Sequence, residues 1–302
     1  MRAPLPLRLL PAAALAVASS VSCSSTSRPQ PAWSGAESWA RAALWNDGLA
    51  EVATYDARRA TYGTERAYEA TFVTVKETFT TDLWVKAESE PPPGKSIEVL
   101  KQNQIETWRT ENYPYNAMTS LFVDRADASR LVKLTMSHQE WCGNTFKEWK
   151  GFASPPEMVT HSYWDPEGDE TIRFERGTAE APLLLADQLP LSLRSLPFAA
   201  GFERRARLVP SLVSSRTGSP GAVPGTIRVA ARETIESGAG RFDCWRVEVA
   251  WEGGGAARFH FAAEAPHVLV RYEFPDRSGT LARLRRWAYW DRSKPDPAPR
   301  RP

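Results

Sequence analysis

The stretch SHQEWCGNTF, residues 137–146, gathers three reactive side chains, His138, Glu140 and Cys142. A thiolate with an imidazole about 3 Å away would make a nucleophile and its base, and a histidine beside a carboxylate would begin a metal site. Spacing decides against both. Val132, Leu134 and Met136 alternate with polar neighbours just upstream, so the stretch reads as a strand, where His138 and Cys142 share a face about 13 Å apart at roughly 3.3 Å per residue. A metal would need a third ligand, and His161, His260 and His267 hold no recognisable spacing to supply it. No G-x-S-x-G, H-E-x-x-H, Walker A or paired C-x-x-C motif occurs. Gly63, Gly143 and Gly240 read as turns or bulges rather than phosphate cradles. The sequence therefore points away from an enzyme and implies no cofactor and no metal.

The elements around this stretch are mostly strands. In ERAYEATFVTVKETF, Tyr68, Ala70, Phe72 and Thr74 share one face and Glu69, Thr71, Val73 and Val75 the other. Further strands are expected near 50–57, 81–87, 96–109, 117–124, 130–138 and 140–149. Towards the end, Ile227, Val229, Ala231 and Ile235 alternate with polar or small residues, and Trp245, Val247, Val249 and Trp251 do so after SGAG. Runs at 256–263, 267–274 and 280–290 follow, separated by turn signals every 10 to 15 residues, the pattern of an antiparallel meander. Ser34 and Glu37 make a capping box that predicts one amphipathic helix over 35–47. The leucines of TAEAPLLLADQLPLSLRSLPF suit a short helix or apolar loop packed on a sheet.

The first 22 residues carry Arg2 and Arg8, an apolar run from Leu9 to Ala18 and a small-residue end, the make-up of an export signal. Ser20, Val21 and Ser22 before Cys23 resemble a bacterial lipobox, which implies lipidation of Cys23 and an anchor in the outer membrane, facing the periplasm. Ala16-Val17-Ala18 offers an alternative cleavage that would leave a secreted or periplasmic protein. Residues 23–33 read as a tether, 34–292 as one β-rich domain and 293–302 as a frayed tail. Within the domain, 34–176 forms an N-terminal half, 177–224 a helix or loop connection, and 225–292 a C-terminal meander. Removal of the signal brings 38 basic and 36 acidic residues close to balance, which argues against a nucleic-acid partner. Cys142 and Cys244 are then an even pair in an oxidising compartment, open to one disulfide worth on the order of 4 kcal/mol or to two buried thiols.

At WNDGLAEVATYDARRATYG, YPYNAMTS and QEWCGNTF the chain resembles an uncharacterised family of bacterial exported lipoproteins, some members of which carry the name septum formation inhibitor Maf. The S-x-S-P-R-R type motif of the Maf nucleotide hydrolases does not occur, so that activity is not implied. From GRFDCWRVEVAW through FAAEAPHVLVRYEFPDRSGTL the chain resembles a domain of unknown function with a LolA/LolB-like fold, which implies a strongly curved antiparallel sheet crossed by a helix. The expected architecture is mainly β (α+β): a large curved sheet or open half-barrel with one or two packing helices. Its concave face would be lined by Trp245, Val247, Val249, Trp251, Phe259 and Phe261. That face would suit an acyl chain or another hydrophobic small molecule; a non-catalytic assembly role through protein partners, whose identity the sequence leaves open, is the alternative.

Overall fold

The computed structural model describes residues 39–165, 168–216, 220–293 and 295. The signal segment, Cys23, the tether and the start of the expected first helix lie outside the described residues, as does most of the tail.

An N-terminal wing meanders through β1 (Ala50–Thr61), β2 (Thr64–Thr80), β3 (Ser96–Arg109), β4 (Pro114–Asp124), β5 (Asp127–Glu140), β6 (Gly143–Lys150), β7 (Glu157–Ser162) and β8 (Asp169–Arg173). Each is antiparallel to the next. The C-terminal wing contains β9 (Leu183–Leu185), β10 (Glu203–Val209), β11 (Val223–Ser237), β12 (Gly240–Trp251), β13 (Gly255–Ala262), β14 (Leu269–Glu273) and β15 (Arg277–Trp287). Here β9 runs parallel to β10 and the later pairs are antiparallel. The wings meet at one seam, β1 against β15, registered from Ala50 opposite Trp287 to Arg59 opposite Arg277. Among the described residues fifteen strands therefore form one open sheet, ordered from β8 through β1 and β15 to β9. Tyr62 and Gly63, with φ of 52° and 73°, make the two-residue turn between β1 and β2, a conformation whose twist matches paired strands and which glycine enters freely.

A sheet this wide curls, and the curl is filled from within. After β8 the chain crosses to the opposite edge, and residues 183–196 run down the inside as β9 and a short helical segment, Ala186–Ser195. Leu184, Leu189, Leu193 and Leu196 join a core with Tyr55 of the seam, Phe72 of β2 and Val247, Phe259 and Phe261 of the C-terminal wing. Leu185 and Leu191 turn to the other wing and pack with Leu121, Leu134, Met136 and Trp149. Burial of each such leucine contributes about 1.5–3 kcal/mol. Arg194 locks the segment to the seam: its guanidinium donates two hydrogen bonds to the Glu51 carboxylate, at 2.6 and 3.0 Å, and two to the Pro266 carbonyl.

Two expected elements differ. Trp39 and Ala40 are helical, but the chain then tightens into a 3-10 turn at Ala43–Asn46 instead of continuing as one helix to 47. The cause is local: the Trp45 indole N–H takes the Trp39 carbonyl at 3.0 Å, and the two rings pack edge to face at 5.8 Å. Residues 81–87 form a turn with a single bridge from Phe79 to Lys86 rather than a strand. Trp84 adopts φ 55° and stacks on Phe152 at 4.8 Å, which breaks the alternation there.

Candidate functional site

The inner face of the N-terminal wing is buried yet polar. Thr74, Gln102, Gln104, Glu106, Thr119, His138, Thr145 and Lys147 all point inward and are almost without solvent contact. Polar side chains can be buried when each finds a partner, and here many partners come from the main chain of residues 211–216, which lie across them as a strap. Lys147 Nζ donates to the carbonyls of Leu212 and Ser214 at 3.2 and 2.9 Å. Thr145 Oγ1 donates to Ser215 O at 3.1 Å, and His138 Nδ1 to Val213 O at 2.9 Å. From the helical segment, Asp187 accepts the Leu212 N–H at 2.7 Å and the Ser211 hydroxyl at 2.5 Å.

At one end of the half-barrel the strap, the β1–β2 turn, the ends of β3, β5 and β12, the start of β4 and the β14–β15 turn leave a cavity of about 530 Å³. Trp108, Tyr115, Trp251 and Phe274 supply aromatic wall, and Arg59, His138 and Glu140 supply polar wall. Trp108 and Tyr115 stack at 5.2 Å, and His138 meets both rings edge-on. Arg59 lies over the Trp108 ring at 4.3 Å and is neutralised by Glu106 and Asp276, each at 3.1 Å. Arg277 completes that buried network on Asp187 and Glu106. Burial opposes charge on Asp276, but Arg277 and Arg59 outweigh it and hold the carboxyl below its ordinary value. Burial lowers the pKa of His138 from 6.5, only partly offset by its bond to Val213, so the imidazole is neutral at pH 7.

A carbonyl oxygen only accepts, so the bond to Val213 puts the His138 proton on Nδ1 and leaves a lone pair on Nε2. That Nε2 has no hydrogen-bond partner; neither does Glu140 Oε2 or the indole Nε1 of Trp108. Glu140 Oε1, by contrast, takes the Ser215 hydroxyl at 3.2 Å. All three unpartnered atoms belong to side chains that line the cavity, but each atom is itself buried, with almost no surface open to it. Around the same end, Tyr62, Trp141 and Tyr163 are exposed, at 66%, 76% and 62%, and Trp141 stacks on Tyr113 at 5.6 Å.

The residues singled out from sequence fare unevenly. Trp245, Val247, Val249, Trp251, Phe259 and Phe261 do come from inward positions of β12 and β13, but they do not line an open groove. Val247, Val249, Phe259 and Phe261 are fully buried beneath the leucines of 184–196. Trp245 packs beside Phe198 and Arg232, and Trp251 alone of the six reaches the cavity. The disulfide also does not form: Cys142 is free and exposed in the β5–β6 turn, facing Tyr113, while Cys244 is free and buried in β12, its thiol against Phe242 O. His138 and Glu140 share a wall as strand neighbours, with Cys142 outside it. Trp108 and the strap were missed, because their proximity to His138 depends on pairings remote in sequence. Among the described residues no three His, Cys, Asp or Glu side chains gather as metal ligands, and no helix is long and apolar enough to cross a membrane.

No family model matches the chain, and no curated protein matches it significantly. Two solved structures are similar. A DUF1089 family protein from Pseudomonas aeruginosa shares 11% identity over 59% of this chain and 83% of its own, with a TM-score of 0.33. A candidate exported protein with a YmcC-like fold from Bacteroides fragilis shares 12% identity over 71% of this chain and 94% of its own, with a TM-score of 0.20. Neither carries a Maf or LolA/LolB name. Both superpositions are too distant to carry a function, so the site rests on its own geometry.

Proposed function

We propose that this chain is an exported, lipid-anchored protein of the bacterial cell envelope that binds a small amphiphile in the cavity at the end of its half-barrel. The export signal ending at Cys23 supports the location. The observation that carries the binding reading is the cavity of about 530 Å³, walled by Trp108, Tyr115, Trp251 and Phe274 with Arg59, His138 and Glu140 among them. That is the size and composition of a small-molecule site. Because the concave face is packed, this reading puts the ligand at the end of the sheet rather than at its apolar centre.

The test is mass spectrometry of solvent extracts from the chain beginning at Ser24, purified without detergent, beside Ser214→Trp, which projects an indole into the cavity from the strap. A stoichiometric small amphiphile in the first and not the second is the expected result. An amphiphile retained equally by both would place binding elsewhere. The exposed ring of Tyr62, Trp141 and Tyr163 favours a second reading, an assembly protein that docks a partner on this rim. In that case cross-linked envelopes yield a discrete partner that is lost with Trp141→Ser, and no ligand co-purifies.

A further inference from the structure

Each N-terminal-wing turn at the cavity end carries an aromatic side chain, and together these make a nearly continuous outer band. Tyr62 of the β1–β2 turn and Tyr115 share a hydrogen bond at 2.8 Å, Tyr115 donates to Tyr113 at 2.9 Å, and Tyr113 stacks on Trp141 of the β5–β6 turn. Tyr163, just after β7, fills the space that a side chain on Gly143 would need and meets Trp164 edge to face at 5.1 Å, while Arg216 covers Trp164 at 3.6 Å. Trp141 is 76% exposed with one face on Tyr113, so its other face is open. Directly behind these turns, on the convex side of the sheet, Thr107, Asn116, Gln139 and Asn144 lie opposite one another across β3, β4, β5 and β6, all exposed and uncharged. Three strand spacings of about 4.8 Å make that row roughly 14 Å long.

We infer that the aromatic band and the polar row together form a shelf that binds an extended, uncharged polysaccharide, a site distinct from the cavity. A sugar ring has an apolar C–H face, which the negative face of an aromatic ring attracts, and a rim of hydroxyls that both donate and accept, as amide and hydroxyl side chains do. The charges of this end do not suit a polyanion. Arg58 is paired with Glu65 and Arg66 with Glu111, and the exposed Arg109 and Arg216 are balanced in number by Glu140 and Asp165, so no basic field is left to draw nucleic acid or an anionic bilayer. A bilayer is also on the wrong side. The chain before Trp39 joins the domain at the other end, where Ala40 O accepts from Arg125 of the β4–β5 turn, roughly 40 Å away along β5 at about 3.3 Å per residue. A protein partner would find little aliphatic surface: Ile105, Met118 and Phe146, the next row along the strands, are 39–40% exposed and interrupted by Ser137.

The probes are chitohexaose, maltohexaose and laminarihexaose, each beside its own disaccharide, titrated at pH 7 into the chain from Ser24 and followed by calorimetry and tryptophan fluorescence. At least one hexasaccharide is expected to bind with Kd at or below about 1 mM, about tenfold or more tighter than its disaccharide, and to hold that affinity in about 0.5 M sodium chloride. Trp141→Ala and Tyr163→Ala should each weaken binding about tenfold or more, and the pair Gln139→Ala with Asn144→Ala several-fold, with urea midpoints reporting that each variant is folded. Ser214→Trp, which fills the cavity, should leave glycan binding unchanged. Failure of all three hexasaccharides to bind, or binding indifferent to both Trp141→Ala and Tyr163→Ala, would overturn the inference. So would a discrete envelope protein cross-linked at this rim and lost with Trp141→Ser. Intact glycan binding beside a cavity from which no amphiphile can be extracted would uphold the shelf and overturn the cavity reading alone.

Discussion

Leu193→Ala separates a packed concave face from an open groove. Leu193 is fully buried in the helical segment and belongs to the core shared with Val247, Phe259 and Phe261. The substitution removes three carbons, about 2.5 kcal/mol of transfer free energy at roughly 0.8 kcal/mol each. Incomplete collapse adds a cavity term of about 24 cal/mol per Å³, so a residual void of roughly 50 Å³ brings the total to about 3–4 kcal/mol. For a chain of this size that lowers Tm by about 6–15 °C. Urea unfolding followed by tryptophan fluorescence, with the denaturant slope compared to the parent, gives the number directly. A loss below about 1 kcal/mol at unchanged slope would refute the reasoning, because it would mean that the segment stands off the sheet and that β12 and β13 face a vacant groove after all.

Breaking the Arg194–Glu51 pair with Glu51→Gln should cost about 3–5 kcal/mol by chemical denaturation, since a buried guanidinium loses its counter-charge, and the double change Glu51→Leu with Arg194→Met should recover part of that loss. His138, His260 and His267 are all depressed below 6.5, chiefly by burial. The unfolded chain therefore binds protons first on acidification, so their contribution to stability is complete above about pH 6.5 and is lost as pH falls through the folded values. Stability measured between pH 7.5 and 5.5 should decline, and His138→Gln should make the decline shallower; an unchanged slope would count against a buried neutral imidazole. Burial, aided by Asp243, pushes the Cys244 thiol up to about 12, whereas Cys142 is exposed. Iodoacetamide at pH 8 should add one group to the native chain from Ser24 and two to the unfolded one, without prior reduction.

Alternation carried much of the fold. The strand expected at 96–109 has those same limits as β3, and the three final runs become β13, β14 and β15 with ends shifted by one to three residues. Strands β7 to β10 were not legible, because they are short and separated by proline-bearing crossings whose order only the assembled sheet imposes. Nor could local pattern show the single sheet, since the seam joins residues as far apart as Ala50 and Trp287. Gln102, Gln104 and Glu106 alternate as polar residues in sequence and are buried instead, because Gln102 pairs with Thr74 and Gln104, Gln104 reaches Asp187 O, and Arg59 and Arg277 meet Glu106. The site was half visible. His138 and Glu140 drew notice for their chemistry, but the carbonyl that fixes the imidazole tautomer belongs to Val213, which no spacing rule connects to β5.

The seam between β1 and β15 also sets an order of assembly. Apart from the parallel β9–β10 pair, each wing is a chain of antiparallel neighbours that can zip locally, but β1 must wait for a partner made more than 200 residues later, a long loop closure that slows folding. Until then an inner strand of the finished sheet is a naked edge, prone to pair with another molecule. β1 carries charges at Glu51, Asp56, Arg58 and Arg59, the kind of residue that discourages edge-to-edge pairing. A protein threaded through an export channel from its N-terminus would carry this edge unguarded for most of its passage. Conditions or variants that delay β15 should therefore appear as aggregation before they appear as lost stability.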